Sequence, residues 1–356
     1  MVRRRTVLML PWCTMATSAF GQARYPLVRP GVPLVFPRDH GAHPDFRTEW
    51  WYITGQVRDA RGRAFGIQIT FFRNRPGLQE ESPSGFAPKQ LLFAHAAIAD
   101  PTHGKLRHDQ RAARAGLGLA EVSPTTTAVH IDDWSLALEG ERYRTRIAAD
   151  TFTMELTFSA TQPLVLQGDR GVSRKGPRPE QSSYYYSRPH LATTGTIAID
   201  GKPASVQGVA WLDHEWSSEY LAPEAQGWDW VGLNFDDGGA LMAFRIRLRD
   251  GGILWSGGSR RDPQGSVRVF APHEVRFEPL RTWRSPRTGG VYPVAMRLRA
   301  GDASFDLDPL MDDQELDARP SVGTVYWEGA VRVRENGQPR GHGYLELTGY
   351  VRPLKL

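Results

Sequence analysis

The fold is decided by the stretch Gly66–Phe72, GIQITFF, in which Ile, Ile and Phe alternate with Gly, Gln and Thr. The stretch Leu241–Leu248, LMAFRIRL, shows the same two-residue period in the second half of the chain. Such alternation is typical of half-buried β-strands. Turn pairs that contain glycine separate the runs, at 61–62, 139–140, 200–201, 237–238, 250–251 and 336–337. The pattern predicts an all-β meander of antiparallel hairpins without long amphipathic helices.

The chain is long enough for two domains, and its sequence is internally repeated. Its 356 residues exceed the usual domain size of about 100 to 200 residues. EWWYITG at 49–55 and WDWVGL at 228–233 each lead through an Asp/Gly turn into an apolar strand, and GTIAIDGKP at 195–203 resembles GAVRVRENGQP at 329–339. Repetition at a long offset indicates a duplicated unit. We therefore predict two related β-barrels, an N-terminal domain over 24–222 and a C-terminal domain over 223–356.

The first 23 residues have the features of a cleavable export signal. Arg3–Arg5 precede the apolar run Thr6–Cys13, and small residues lead to Ala23, after which we expect cleavage. The apolar run is far shorter than the roughly 18 residues of a membrane span. The alternative is an unstructured cytoplasmic tail. The expected location of the mature protein is the periplasm or the exterior, reached by the general or the twin-arginine route.

Removal of this segment changes the charge and the cysteine content. The chain has 44 Lys and Arg against 39 Asp and Glu, a net charge of +5, which falls to +2 when three arginines are lost. A balance so close to neutrality does not favour a nucleic-acid partner. Cys13 is the only cysteine. The mature chain therefore has no thiol nucleophile, disulfide or cysteine metal site.

The strongest chemical feature is the sequence DHEW at 213–216. On a strand, His214 and Trp216 share one face, and Asp213 and Glu215 share the other. Histidine exchanges protons near neutral pH, and tryptophan offers a π face to an apolar or cationic centre. We predict Asp213, His214 and Trp216 to be catalytic residues. The alternative is a strand end with solvated acids and a hydrogen-bonded histidine.

The internal repeat supports a chemical role for the histidine. When Gly208 is aligned with Gly341, His214 falls on Leu347 of the second half. A requirement of the fold would apply to both copies. The difference therefore indicates a role beyond the fold.

The second acidic candidate is Glu49, which directly precedes Trp50, Trp51 and Tyr52. A carboxylate enclosed by aromatic rings loses solvation, so its pKa rises and it becomes a proton donor. We predict that Glu49 is catalytic and that Trp51 binds the ligand. The alternative is a structural ion pair between Glu49 and Arg47 or another arginine.

Further candidates are less specific. His95 lies in an alternating run and points inward, Tyr185 in YYYS at 184–187 offers a hydroxyl to a ligand, and Trp228 and Trp230 open the second repeat. We assign these four residues to ligand binding, with buried structural roles as the alternative. Gly168–Ser183, dense in Gly, Pro, Arg and Lys, is expected to be an exposed loop.

Metal and cofactor sites are not expected. His40 and His43, with a nearby carboxylate, form a weaker metal-binding alternative. The sequence has no nucleophile elbow, Walker loop, His-Glu-x-x-His motif or dinucleotide fingerprint placed after a strand. We therefore predict no cofactor and no resident metal.

Several of these motifs, in this order, resemble the AttH-like, carotenoid 1,2-hydratase-related family, whose members are often described as secreted hydrolases. The resemblance covers about Val35–Tyr350 and rests on the segments FPRDHGAH at 36–43, EWWY at 49–52, FAH at 93–95, YYYS at 184–187, DHEW at 213–216 and GWDW at 227–230. It implies two consecutive lipocalin-like barrels and an apolar ligand. It also implies an active-site role for His214 and Trp216. The Tyr-x-Asp pattern of carotenoid hydratases is missing around Leu241–Arg245.

The sequence and the resemblance together favour an exported, cofactor-independent hydratase or hydrolase that acts on a lipid or isoprenoid. For hydration, Glu49 or Asp213 would protonate an alkene, Trp216 and Trp51 would stabilise the cation, and His214 would activate water. For hydrolysis, His214 would be the general base. The rival is a non-catalytic carrier of an apolar ligand, with envelope transporter components as partners.

Overall fold

The computed structural model describes residues 25–354, and the predicted signal segment lies outside this range. Within it no α-helix forms, and two short 3-10 turns occupy Arg38–His40 and Pro272–Glu274. None of the elements in residues 25–354 is a helix that could span a lipid bilayer. The protein is all-β, as the alternating sequence predicts.

The first half forms one antiparallel sheet. Its strands are β1 (Thr48–Asp59), β2 (Ala64–Asn74), β3 (Leu91–Ala99), β4 (Arg107–Arg114), β5 (Ala120–Val122), β6 (Ala128–Ile131), β7 (Trp134–Glu139), β8 (Arg142–Ala148), β9 (Phe152–Ala160), β10 (Val165–Leu166), β11 (Val172–Arg174), β12 (Ser182–Ile199) and β13 (Lys202–Ser217). The strand order is β4-β3-β2-β1-β13-β12-β9-β8-β7-β6-β5. The sheet curls until Cα atoms of β3 and β4 lie within 8 Å of β6, which nearly closes a barrel.

The second half forms a second antiparallel sheet. Its strands are β14 (Ala225–Phe235), β15 (Ala240–Leu248), β16 (Ile253–Arg261), β17 (Val267–Phe270), β18 (Val275–Arg284), β19 (Val291–Ala300), β20 (Ala303–Pro309), β21 (Glu315–Ala318), β22 (Thr324–Glu335) and β23 (Gln338–Thr348). The strand order is β17-β16-β15-β14-β23-β22-β20-β19-β18. It corresponds strand for strand to the order β4-β3-β2-β1-β13-β12-β9-β8-β7 in the first sheet. The prediction of two related barrels is confirmed.

Strand register confirms the alignment of the two halves. Gly208 pairs with Val57 of β1, and Gly341 pairs with Phe235 of β14. Counting from these pairs places Asp213 of β13 and Glu346 of β23 at equivalent positions. The same count aligns His214 with Leu347, as the sequence comparison proposed.

The barrels pack side by side through the faces of their first strands. Trp51 and Ile53 of β1 lie in the core of the N-terminal barrel, whereas Tyr52 belongs to an apolar cluster shared with Trp230 and Tyr344 of the C-terminal barrel. Both faces of β1 are therefore buried, which explains its nearly continuous apolar sequence. The alternation of the strand assigns successive side chains to a barrel interior or to the interface between the barrels.

The segment Gly168–Ser183 differs from the expected exposed loop. Val172–Arg174 pairs with β12, and Lys175 is buried beneath the interface. Its exposed residues are Asp169, Arg170, Arg174 and the stretch 177–180. The polar composition of the segment did not reveal that Lys175 is buried, because the aromatic ring and the carboxylate that enclose it come from other strands.

Candidate active site

A cavity of about 340 Å³ lies between the two barrels. Its walls are mainly aromatic, formed by Trp50, Tyr52, Phe72, Phe93, Tyr220, Trp228, Trp230 and Tyr326. Five acidic residues also line it, namely Asp213, Glu215, Glu328, Glu346 and Glu49, and the first four form a group of cavity carboxyls. An apolar cavity with a few convergent polar groups is the usual form of a small-molecule site.

Alternation along β13 divides the DHEW motif between two compartments. Asp213 and Glu215 line the cavity. His214 and Trp216 point the other way, where Trp216 belongs to the core of the N-terminal barrel and both rings are buried. The motif thus supplies acids to the cavity and a histidine to the barrel interior.

Asp213 is a buried carboxyl group with three hydrogen-bond donors. Oδ1 accepts from Ser187 Oγ at 2.5 Å and from Trp211 Nε1 at 2.6 Å, and Oδ2 accepts from Tyr185 OH at 2.7 Å. Trp230 Nε1 donates in turn to Tyr185 OH at 3.1 Å. Burial raises the pKa of Asp213 to about 7, and the three donors oppose that rise. The group is thus poised to exchange a proton near neutral pH.

Glu215 forms a buried ion pair with Lys175. Lys175 Nζ lies 2.8 Å from Glu215 Oε1, and Ser183 Oγ donates to the same oxygen. The ammonium group also lies 4.2 Å from the ring centroid of Phe244 and 4.8 Å from that of Tyr185. Burial raises the pKa of Glu215, and the Lys175 charge opposes this. Of Asp213, Glu215, Glu328 and Glu346, Glu215 is therefore the one with a cationic partner among the residues that the structure describes.

Glu328 and Glu346 are cross-strand neighbours in β22 and β23. Burial raises the pKa of Glu346 to about 8, and the negative charges of Asp213 and Glu215 add to the effect. Burial and the neighbouring Glu346 raise the pKa of Glu328 well above its usual range. Two carboxylates in one apolar site cannot both ionise at low cost. The pair therefore holds at least one proton near neutral pH.

A second polar network lies inside the N-terminal barrel and centres on Glu49. Its Oε1 lies 2.7 Å from His43 Nδ1 and 2.9 Å from His214 Nε2, and its Oε2 accepts from Arg73 Nε at 2.8 Å. Burial alone would raise the pKa of Glu49, but Arg73 and the two histidines hold it well below its usual range. Glu49 is thus a carboxylate in a buried ion pair with Arg73. An ion pair with an arginine was the alternative to the catalytic role predicted from the sequence.

Aromatic rings fix the histidines of this network. His43 stacks on Trp216 with ring centroids 3.7 Å apart, and His214 stacks on Trp51 at 4.6 Å. The ligand atoms of His43, Glu49 and His214 lie within 4.8 Å of one another, a spacing that a metal ion could use. Each of these atoms already takes part in a hydrogen bond, and Arg73 supplies the positive charge. The chemistry of the group fits a closed hydrogen-bond network better than a metal site.

His95 lies behind the cavity wall. Its Nε2 is 2.9 Å from Ser321 Oγ, and Ser321 lines the cavity. Ser321 Oγ donates to Gln110 Oε1 at 2.5 Å, because an amide oxygen accepts only. Nε2 of His95 must then donate to Ser321, so His95 does not act as a base towards this serine.

The structure therefore separates the sequence-predicted site residues into three groups. Asp213, Trp228 and Trp230 line the cavity, and Glu49 borders it while directing its carboxylate towards the histidines. Tyr185 and His95 bond to residues that line the cavity. His214, Trp216 and Trp51 lie in the N-terminal barrel interior. The catalytic and binding roles of all nine stay predictions.

Sequence reasoning missed Glu215 as a site residue, together with Lys175, Glu328 and Glu346. A signal for Glu346 was present, because the alignment of Gly208 with Gly341 places it on Asp213. Glu328 also stands alone among apolar residues in VYWEGAV at 325–331. An isolated acid in a strand that is buried on both faces indicates a polar partner or a site.

Comparison with known proteins agrees with this architecture. Residues 27–350 match the sequence profile of a family described as AttH-like. The crystal structure of a protein from Nitrosomonas europaea, described as a candidate AttH, is 53% identical, with a TM-score of 0.87 over 92% of this chain and 100% of that one. None of the curated protein sequences matches this chain.

Two more distant structures share the fold. Kievitone hydratase from Nectria haematococca has a TM-score of 0.70 at 15% identity, over 93% of this chain and 97% of its own. CghA with bound Sch210972 has a TM-score of 0.56 at 15% identity, over 86% and 89%. The profile match over nearly the whole chain and the 53% identity establish the relationship: the chain belongs to the AttH-like family.

Proposed function

We propose that the protein is a cofactor-independent hydratase that adds water to a carbon–carbon double bond of a small hydrophobic molecule. The observation that carries the proposal is the group of four buried carboxyls around an aromatic cavity. Burial of a carboxyl group costs free energy. Carboxyls with perturbed pKa values in a cleft are therefore candidates for a functional site. The shared fold with a kievitone hydratase adds support at the level of the fold.

The arrangement provides each part that hydration needs. A carboxyl that stays neutral near pH 7 can protonate an alkene carbon, as Glu346 can with its pKa raised to about 8. The faces of Trp228 and Trp230 stabilise the resulting cation. A carboxylate then takes a proton from the attacking water. The product gains one water, and no oxidant or second substrate is required.

Hydration fits the cavity better than hydrolysis through a serine nucleophile. Ser321 is the serine that lines the cavity in the described part of the chain, and its hydroxyl proton is directed to Gln110. His95 donates to Ser321 and leaves its other nitrogen without a partner. A serine nucleophile needs the reverse arrangement, with the histidine accepting the hydroxyl proton.

The cavity volume limits the substrate. A volume of about 340 Å³ falls near the lower end of the roughly 300 to 1,000 Å³ that small-molecule sites have. We infer a small substrate, or a larger one of which only a part is enclosed. A short isoprenoid or a prenyl group on an aromatic ring fits this size.

The proposal can be tested with isotopically labelled water. Purified protein is incubated with a panel of short isoprenoid and prenyl-bearing alkenes, and mass spectrometry follows incorporation of the heavy oxygen into an alcohol. Asp213→Asn and a reaction without protein are the controls. Labelled alcohol formed only by the wild type supports hydration, whereas tight binding of the alkenes without conversion supports the carrier alternative.

A matched pair of ligands tests the cationic intermediate separately. A tertiary ammonium compound should bind more tightly than its neutral carbon analogue of the same shape. Equal affinity would contradict cation stabilisation by the cavity. Export stays a part of the proposal. Contact with envelope transporter components belongs to the carrier alternative, and co-purification from the cell envelope tests it.

A further inference from the structure

The two barrels contribute equivalent carboxyl groups to the cavity. Asp213 pairs with Tyr52 of β1 and Ser187 of β12. Glu346 pairs with Trp230 of β14 and Glu328 of β22. The aligned registers therefore match Asp213 with Glu346, and Ser187 with Glu328.

The environments of these equivalent groups differ. In the N-terminal barrel the neighbour of Asp213 is a hydroxyl, that of Ser187, which donates to it at 2.5 Å. In the C-terminal barrel the neighbour of Glu346 is a second carboxyl, that of Glu328. The hydroxyl of Tyr52 reaches Glu328 Oε2 at 3.4 Å, a long contact, while Glu346 receives a hydrogen bond from Trp228.

This difference sets opposite protonation preferences. Three short donor contacts stabilise the ionised form of Asp213. Two neighbouring buried carboxyls favour a state in which one of them keeps its proton, because two negative charges repel in a medium of low dielectric constant. Duplication of one barrel has thus produced a proton acceptor and a proton donor at related positions of one cavity.

Resting on the hydration proposed above, we infer that the Glu328–Glu346 pair protonates the alkene and that Asp213 deprotonates the attacking water. The proton of the pair forms a new C–H bond as the π bond breaks, which leaves a cation on the adjacent carbon. The water oxygen forms the C–O bond to this cation, and its extra proton passes to Asp213. Return of one proton from Asp213 to the pair restores the starting state.

Infrared spectroscopy tests the proton donor without any substrate. A protonated buried carboxyl gives a C=O stretching band that is separate from the carboxylate bands. Asp213, whose pKa is about 7, would add to this band at pH 7, so the comparison is made in the Asp213→Asn background. There we expect the band at pH 7 and its loss or clear reduction when Glu346→Gln or Glu328→Gln is added. It should be retained in Glu315→Gln. Glu315 is a matched control because it is buried and accepts from the hydroxyls of Ser285, Thr288 and Tyr292.

Kinetics with an alkene that the protein converts test which carboxyl donates the proton and which accepts it. Asp213→Asn should remove the acidic limb of the pH–rate profile and Glu346→Gln the basic limb, each with a loss of about a hundred- to ten-thousand-fold in rate. The assignment is overturned if the band survives in both glutamine variants, or if the two variants lose the same limb. Absence of hydration with every alkene would contradict the proposed function. The infrared result would still show which carboxyls hold the proton.

Discussion

Tyr52 and Trp230 occupy equivalent positions in the two barrels and contact each other edge to face, with ring centroids 5.4 Å apart and planes at 82°. Each reaches across the interface to the acids of the other barrel. The Tyr52 hydroxyl donates to Glu328 at 3.4 Å, and Trp230 Nε1 donates to Tyr185, the partner of Asp213. The acidic cavity is therefore completed only when the barrels pack together.

Replacement of Trp230 by phenylalanine tests this interface. Trp230→Phe keeps an aromatic ring but removes the donor to Tyr185. We expect the free energy of unfolding to fall by about 0.5 to 1.5 kcal/mol from the hydrogen bond, and further from the lost volume. Denaturant titration measures the change. Trp283→Phe, at a half-buried tryptophan that stacks on Tyr292, should cost less; equal losses would contradict a special role for Trp230.

The ion pair of Lys175 and Glu215 predicts strong non-additivity. Lys175→Met leaves a buried carboxylate without its cation, and Glu215→Gln leaves a buried ammonium without its anion. Each single change should cost about 3 to 5 kcal/mol, and the double variant should cost less than the sum. A double-mutant cycle from denaturant unfolding provides the coupling energy. Additive losses would show that the two side chains do not depend on each other.

The raised carboxyl pKa values predict that stability falls as pH rises from 6.5 to 8. A carboxyl whose pKa is raised on folding binds its proton more tightly in the native state, so its contribution is lost as pH rises through the folded value, about 7 for Asp213 and about 8 for Glu346. The slope is on the order of 1.4 kcal/mol per pH unit for each such proton. The pKa of Glu49 is shifted the other way, so its contribution is lost only at acidic pH.

Thermal unfolding across this range measures the effect. Glu346→Gln should flatten the dependence, because the amide does not titrate. In the upper part of this window, histidines with lowered pKa values, such as His214, are neutral in both states. The pKa of His43 is raised, so its contribution is also lost as pH rises, and the comparison with Glu346→Gln isolates the effect of the acids. Stability that is constant or rises between pH 6.5 and 8 would be inconsistent with buried neutral acids.

Replacement of His214 by leucine separates a catalytic from a structural role. Leu347 stands at the equivalent position, so leucine suits the strand. The change removes contacts to Glu49 at 2.9 Å and to Tyr186 at 3.2 Å, which should cost about 1 to 3 kcal/mol. Because the ring faces the barrel interior, we expect the folded variant to retain more turnover than Asp213→Asn. Loss of turnover at unchanged stability would instead favour catalysis by His214.

The mature protein is expected to begin near Arg24. Arg3–Arg5 and the short apolar run Thr6–Cys13 predict cleavage after Ala23. N-terminal sequencing of protein recovered from the periplasm measures the start. Intact Met1 on protein recovered from the cytoplasm would exclude this processing.

The all-β class, the duplication and the alignment of the halves could be predicted from the sequence alone. These features depend on local periodicity, glycine turns and repeated segments, which are visible without long-range contacts. The sequence also identified DHEW at 213–216 and its division between two strand faces, because alternation is a property of any β-strand.

Packing of the two barrels decided which face of β13 lines the cavity. Alternation along a strand separates two sets of side chains but does not show which set faces a ligand. The sequence therefore could not distinguish the face of Asp213 from that of His214. The cavity arises between two barrels, and Glu328 and Glu346 line it from strands distant in sequence, while Lys175 reaches Glu215 from a loop. Their protonation follows from burial and from the neighbours that packing supplies, and neither quantity is contained in local sequence. The protonation state of Glu49 also depends on packing, since Arg73 lies on the neighbouring strand and keeps the carboxylate charged.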